Sequence, residues 1–352
     1  MVESQTASVL LVGTGVVGSA FLGILQNDAP PAGLELHGIA NTRGIHLGAG
    51  PLAHEQARAI VHHACGTSAI IDDSLLDTFA AQPRPVLVDA TASDGMIDLY
   101  VRALERGIHV VTANKKPLAA AACERRRLFA PGSQRARLRY EATVGAGLPV
   151  IETLKDLVRT GDRVHKIECV LSGTLSFLAN EIHAGTPLSR AVAIAKDRGF
   201  TEPDPREDLG GADVARKAVV LARELGLQLE TSGVDLEPFV PASFLAGSSA
   251  ATLVKDLERL DGEVAARTTR LKARGEKLVY LARIDATGAS AGPVAVSLDH
   301  PAATLGGSSA LVAFTTARYD RDPLVVRGAG AGGAVTASAL IADILKATSW
   351  NH

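Results

Sequence analysis

The segment VLLVGTGVVGSAF, residues 9–21, restricts the possible folds of this chain more than any other stretch. Gly13, Gly15 and Gly18 stand in G-x-G-x-x-G spacing between an apolar run at 8–12 and a helical pattern at 16–26. Each glycine has its own physical reason: Gly13 permits a tight turn, Gly15 lets backbone approach a pyrophosphate, and Gly18 lets the helix lie close on the sheet. The helix start adds unpaired N–H groups and a positive dipole end. A glycine turn kept only for packing is the bland alternative. Its place after the first strand and before a helix, with another strand at 34–40, favours a dinucleotide site made by Gly13, Thr14, Gly15, Val16, Val17 and Gly18.

The end of the second strand bears on the cofactor. An NAD site wants Asp or Glu there for the ribose 2′-hydroxyl. This chain has Ala40-Asn41-Thr42-Arg43 instead, and Arg43 can pair with a 2′-phosphate, so NADP(H) is favoured and NAD(H) stays possible. A solvated loop cation is the alternative for Arg43.

After a polar, Gly-rich loop at 41–51, apolar runs at 86–89 and 108–112 alternate with helical patterns. Strands separated by helices predict right-handed βαβ units and a parallel sheet, an α/β, Rossmann-type domain over 1–140. The texture then changes. A strand at 164–171, helices at 172–184 and 188–198, a Pro/Gly/acid-rich loop at 199–211 and a long helix at 212–225 precede strands at 277–284, 294–298 and 311–316. These do not alternate, which predicts an α+β second domain over 141–324. Residues 325–346 read as strand, glycine turn and helix, returning to the first domain, which then comprises 1–140 and 325–352.

Length agrees: 352 residues, at roughly 150 per domain, suggest two domains. A formal net charge of −2 supplies no pull toward nucleic acid or anionic membrane, and 4% aromatics leave no base-stacking platform. Cys65, Cys123 and Cys169 lie far apart with no CxxC pair, so neither a zinc site nor a disulfide scaffold is encoded and a reducing cytoplasm suits best. The first residues lack the pattern of a signal peptide, and no apolar run is long enough to span a membrane. His62-His63 and the other histidines lack metal-ligand spacing.

Two stretches carry unusual chemistry: YEATVGAGLPVIETLKDL (140–157) and GFTEPDPREDLGGADVARK (199–217), with LSGTLSF (171–177) between them. The acid-rich loop holds Glu202, Asp204, Glu207 and Asp208, and Asp213 and Lys217 lie four apart on one helical face. Positions 213, 216, 217, 223 and 224 are all charged, so pattern alone equally describes a solvated surface stripe.

These motifs, with GTGVVGSAF, TANKKPLA (112–119) and GAGAGGAVTASALIADILK (328–346), carry a resemblance to the homoserine dehydrogenases over nearly the whole chain. The string TEPDPREDLGGADVARK is highly specific to that family. The resemblance implies reversible reduction of L-aspartate 4-semialdehyde to L-homoserine with NAD(P)H. It implies Lys217 as the proton-transferring residue, Lys115 as a lysine beside the nicotinamide, and Glu202, Asp208 and Asp213 as substrate carboxylates. It implies cofactor contacts from Thr91 and Gly332. The family often has Asn-Thr-Ser where this chain has Ala90-Thr91-Ala92-Ser93, which puts side-chain contacts from 90 and 92 in doubt. It further implies a monovalent cation, sodium, held by Glu141 and the carbonyls of Val144, Ala146 and Leu148, and a homodimer formed through the second domain.

The chemistry asks for these residue types. Hydride attack builds negative charge on an aldehyde oxygen, which needs a cation or proton donor; a lysine suits if burial and a second cation such as Lys115 lower its pKa. The substrate α-ammonium needs carboxylates. Two rivals are weighed: an aspartate-semialdehyde dehydrogenase needs a nucleophilic cysteine at a helix N-terminus, which neither Cys169 nor Cys123 suits; a catalytically silent NADP(H)-binding paralogue is disfavoured by the intact Glu202, Asp213 and Lys217. Because the return helix ends near Lys346, a single-function enzyme without kinase or regulatory appendage is expected.

Overall fold

The computed structural model describes residues 6–26, 31, 33–62, 71–130 and 136–348; Cys65, His63 and most of the turn expected at 28–33 lie outside the described residues. By their contacts the residues form two compact units, Met1–Gly147 with Gly332–His352, and Leu148–Ala331.

In the first unit β1 (Ala7–Val12), α1 (Val16–Leu25), β2 (Leu34–Asn41) and β3 (Gly44–Leu47) are followed by α2 (His54–His62), α3 (Asp73–Ala80) and β4 (Val86–Asp89). Then come α4 (Ile97–Glu105), β5 (His109–Thr112), α5 (Lys116–Ala119), α6 (Ala122–Leu128) and β6 (Leu138–Arg139). The sheet order is β3-β2-β1-β4-β5-β6. β2, β1, β4, β5 and β6 run parallel, and β3 is antiparallel to β2. All six residues of β1 and all four of β4 are buried. That is why they read as unbroken apolar runs: crossover helices cover both faces of a parallel sheet. The order reverses between β1 and β4, and ligands of open α/β sheets sit outside the carboxyl ends of strands at such a point. The expected α/β class is thus present, with one difference. The supposed loop at 41–51 contains β3, an edge strand too short to show alternation.

The second unit contains α7 (Ile151–Arg159), β7 (Val164–Val170), α8 (Gly173–Ala184), α9 (Leu188–Asp197), α10 (Pro205–Leu209), α11 (Ala212–Glu224), β8 (Asp235–Leu236), α12 (Ala242–Gly247) and α13 (Leu253–Ala273), then β9 (Glu276–Asp285), β10 (Gly288–Ser297), β11 (Ser309–Thr316) and β12 (Leu324–Ala329). Its sheet runs β12-β11-β7-β9-β10-β8, antiparallel except for the β10–β8 pair. α8, α11 and α13 pack against β9. This is the α+β arrangement expected. β12, however, pairs with β11 in the second sheet, so the chain rejoins the first unit at Gly332, later than the expected 325.

The last helix, α14 (Gly333–Thr348), belongs to the first unit and packs against α1. A Cβ on Gly333 would come 2.9 Å from the Val16 carbonyl oxygen, so this close approach depends on glycine. No described helix is long and apolar enough to cross a membrane.

Candidate active site

The three glycines of the first turn sit in three different environments. Gly13 has φ +94°, and a Cβ there would lie 2.6 Å from Thr91 Cγ2. A Cβ on Gly18 would lie 2.0 Å from the Gly13 carbonyl oxygen. Gly15, at φ −69°, has nothing within 4 Å of its Cβ position and caps α1 with no side-chain partner. Two glycines are therefore needed for packing, and the third faces open space at the positive end of a ten-residue helix. That space matches an anionic pyrophosphate, so the residues suit a dinucleotide. Thr14, Val16 and Val17 continue the rim, and Val16 is 79% exposed despite being apolar. Gly332, at φ +126°, leads into α14 beside the same turn, where Gly333 meets Val16.

β2 ends on Asn41, one residue later than expected. Its amide donates to Thr14 Oγ1 at 3.3 Å, and its carbonyl oxygen accepts the Arg43 N–H at 2.8 Å. Arg43 is exposed and donates from its guanidinium to the Val61 carbonyl at 2.7 Å. No carboxylate occupies the strand end, and an amide tied to the glycine turn stands in its place.

The ends of β4 and β5 hold Thr91 and Lys115. Asp89 and Thr112 are paired last residues of these strands and both are fully buried. Asp89 Oδ1 accepts the Thr91 N–H at 2.7 Å, and Oδ2 accepts from Tyr100 at 2.5 Å and from Asn114 Nδ2 at 3.2 Å. Tyr100 Oη also lies 2.8 Å from Thr112 Oγ1, which accepts the Asn114 N–H at 2.8 Å. Asn114 directly precedes Lys115, a half-buried residue at the start of α5.

In the second unit α11 presents Asp213 and Lys217 as a contact pair, Nζ to Oδ2 2.7 Å. Lys217 Nζ also donates to the Leu171 carbonyl at 2.8 Å, and its side chain is 14% exposed. Gly211 starts this helix at φ +73°, where a Cβ would come 2.0 Å from Tyr280 Oη, itself donating to the Glu237 carbonyl. α11 is not a solvated surface helix: Arg223, part of the charged stripe, is 8% exposed and donates to the Leu229 carbonyl and to Glu230.

The acids of the 199–211 loop separate into two roles. Asp204 caps α10 and pairs bidentately with Arg206, whose guanidinium also reaches the Ser248 carbonyl. Asp208 instead accepts the Glu202 N–H at 2.8 Å. Burial holds the Asp208 carboxyl above the ordinary carboxylate range; the Glu202 N–H opposes this, and the negative charges of Glu202 and Asp213 add to it. Glu202, Asp208 and Asp213 therefore share one electrostatic neighbourhood, beside Lys217. Thr174, at the start of α8, donates to the Phe200 carbonyl at 2.5 Å and ties this helix to the chain just before Glu202. The groups facing Lys217 within this unit are thus a carboxylate and a carbonyl; the second cation expected, Lys115, belongs to the first unit.

Glu141 is 6% exposed, and its N–H donates to Asp343 Oδ2 at 2.8 Å. Val144 precedes two residues with positive φ, Gly145 at +80° and Ala146 at +57°. A buried carboxylate beside a turn of backbone carbonyls is an oxygen donor set suited to a hard cation. Leu148 belongs by its contacts to the second unit. Among the described residues, no group of three or more His, Cys, Asp or Glu is arranged to hold a metal. Cys169 lies fully buried, and burial pushes its thiol far above the ordinary range, so it is no nucleophile.

Sequence reasoning did not single out Asn41, Asp89, Tyr100 or Asn114. Asn114 and Tyr100 have partners 11 to 25 positions away, which no local pattern shows. Asn41 was within reach, had the second strand been run one residue further.

A family model described as homoserine dehydrogenase matches residues 149–345, and one described as its NAD binding domain matches residues 13–141. The chain is 39% identical over 99% of its length to a bifunctional aspartokinase/homoserine dehydrogenase 2 of Zea mays, of which it spans 39%. It spans only 29% to 39% of the bifunctional relatives of this kind. A homoserine dehydrogenase of Saccharomyces cerevisiae is 33% identical, with 98% of each chain covered. A crystal structure of a Candida auris protein of unknown function superposes with a TM-score of 0.89 at 33% identity, covering 99% of each chain.

Proposed function

The chain belongs to the homoserine dehydrogenase family, and from that premise we propose that it reversibly reduces L-aspartate 4-semialdehyde to L-homoserine with NADPH. The observation that carries this reading is the grouping of Lys217 with Asp213, Glu202 and Asp208 in the second unit; the first unit separately carries a glycine turn whose middle glycine faces open space. Initial rates with semialdehyde against NADPH and NADH test it. Cofactor binding without turnover would favour the silent paralogue.

Bound, the reduced nicotinamide supplies the hydride. Gly13, Thr14, Gly15, Val16, Val17 and Gly18, with Thr91 and Gly332, would hold the cofactor, and Lys115 would supply a positive charge for the hydride-transfer step. Lys217 supplies the proton to the aldehyde oxygen. Its ammonium has three N–H bonds, and two are spent on Asp213 and the Leu171 carbonyl. The third is left to donate to the oxygen on which charge builds. In the reverse direction the same nitrogen takes the hydroxyl proton of homoserine.

Glu202, Asp208 and Asp213 take the substrate α-ammonium. The negative charges of Glu202 and Asp213 are part of why Asp208 is raised; a substrate ammonium among the three relieves that repulsion. A pH dependence follows. As pH falls, Asp208 takes up a proton earlier than an ordinary aspartate and loses its attraction for the ammonium. The KM for homoserine is therefore expected to climb on the acid side at pH values above those of an unperturbed aspartate, with kcat changing less. Asp208→Asn should raise KM about tenfold at neutral pH and flatten that acid limb. A KM profile unchanged by the substitution would remove Asp208 from substrate binding.

For the cofactor, Arg43 and the missing strand-end carboxylate support NADPH over NADH. Arg43→Ala should raise the KM for NADPH about tenfold and leave that for NADH within about twofold. Equal effects on both would show that Arg43 does not read the 2′-phosphate.

A sodium ion held by Glu141 with the carbonyls of Val144 and Ala146 belongs to the same proposal, supported by the buried carboxylate and the left-handed turn beside it. So do a homodimer, which rests on the family resemblance, and a reducing cytoplasmic setting, supported by free Cys123 and Cys169.

A further inference from the structure

We propose that Asp89, with Tyr100, is a positioning residue that sets the nicotinamide-binding loops: the pair fixes Asn114, and through it the segments carrying Thr91 and Lys115. The proposal rests on the cofactor reading above and adds residues that touch neither cofactor nor substrate.

Asp89 is the last residue of β4, and its side chain is closed off from water. A carboxylate in such a place is tolerated only when its oxygens are filled with donors. Here they are, by three groups from three segments: the Thr91 N–H at 2.7 Å, the Tyr100 hydroxyl at 2.5 Å and the Asn114 amide at 3.2 Å. Tyr100 lies in α4 and is itself fully buried, and burial with the neighbouring Asp89 charge holds its phenol protonated. Its one proton goes to the carboxylate, so the 2.8 Å contact with Thr112 takes its proton from the threonine, which in turn accepts the Asn114 N–H. The result is one ordered chain from the interior of α4 to the residue before Lys115.

Asn114 is the junction. Its amide nitrogen also donates to the Ser93 carbonyl at 2.8 Å and lies 3.5 Å from Thr91 Oγ1, while its oxygen accepts the Lys116 N–H at 3.2 Å. It thus pins the loop after β4 to the loop after β5. The first of these loops also meets the glycine turn, because Thr91 Cγ2 occupies the place a Gly13 side chain would need. All three loops lie at the carboxyl ends of adjacent parallel strands, β1, β4 and β5. An apolar pair could fill the space of Asp89 and Tyr100, but it would leave the Thr91 N–H and an Asn114 amide hydrogen without this acceptor. It would also lack directional control of the two loops.

The test uses Tyr100→Phe, which deletes one hydroxyl, and Asp89→Asn, which keeps the shape. Each purified variant is assayed for kcat, for KM with NADPH and with semialdehyde, for the primary isotope effect with 4-deuterated NADPH, and for Tm. Small displacements of reacting groups cost up to about a hundredfold in rate. The expected result is a loss of kcat of about tenfold or more in both variants. The isotope effect should exceed that of the wild type, with the semialdehyde KM within about twofold, because hydride transfer becomes slower while the substrate carboxylates of the other unit are untouched. If Asp89→Asn does not fold, Tyr100→Phe decides alone. A lowered Tm with unchanged kcat and isotope effect per folded molecule would reduce the network to a stability element and overturn the proposal. A wild-type protein without turnover would overturn both this proposal and the functional reading beneath it, whereas active wild type with fully active variants overturns this one alone.

Discussion

Lys217→Ala is expected to lose about a thousandfold in kcat while NADPH binding stays near the wild-type value. General acid–base groups contribute about 10²–10⁴ in rate, and Lys217 keeps one N–H beyond those given to Asp213 and the Leu171 carbonyl. The cofactor turn belongs to the first unit, so its affinity should not respond. Lys217→Arg sharpens the result. Arginine keeps the charge and the contact with Asp213, but it does not give up a proton near neutral pH. If Lys217 acts only as a fixed cation, the arginine variant should recover most of the rate. If it transfers the proton, kcat should stay low while the semialdehyde KM returns toward normal. Equilibrium titration of NADPH and steady-state rates on the same preparations separate these outcomes, and retained turnover in the alanine variant would end the proton-transfer assignment.

Why Lys217 could be named at all, and its surroundings could not, follows from what sequence spacing records. The i,i+4 relation of Asp213 and Lys217 is local, so helical geometry alone predicts their contact, and the structure shows it at 2.7 Å. Whether the stripe around them faces water is a tertiary matter. Arg223 looked like part of a solvated face, yet it is buried because the turn at Leu229 and Glu230 folds back over it. The same division holds for the fold. β1 and β4 were legible because strands covered on both faces are unbroken apolar runs. β3 was not, being a four-residue edge strand whose pairing with β2 is decided across a tight turn. α10 was hidden in the acid-rich loop because five residues are too few for a helical period, though Asp204 followed by Pro205 is a capping signal that reading for caps rather than periods would have found. β12 reads as a strand in sequence, but nothing in it says which of two sheets it joins. Motif matching located the loop acids together; only the structure separates Asp204, consumed by Arg206, from Asp208, which is held beside Glu202.

The glycine turn offers the sharpest contrast, because two of its members should fail in opposite ways. At Gly18 a side chain has no room: the Cβ would stand 2.0 Å from a backbone oxygen, and neither α1 nor the Gly13 turn can yield without separating helix from strand. Gly18→Ala is therefore expected to lower stability by about 3 kcal/mol, in the range of severe overpacking, with a clear drop in Tm before any assay is run. At Gly15 a methyl group meets nothing, and φ of −69° suits alanine. Stability should change by less than about 1 kcal/mol, the scale of an N-cap exchange. Cofactor binding should nevertheless weaken at least about tenfold, because the methyl occupies space a pyrophosphate needs for close approach to the backbone. Thermal unfolding and NADPH titration of the two variants test this directly. If Gly15→Ala binds NADPH as tightly as the wild type, the turn is kept for packing alone, and the open space above Gly15 holds no phosphate.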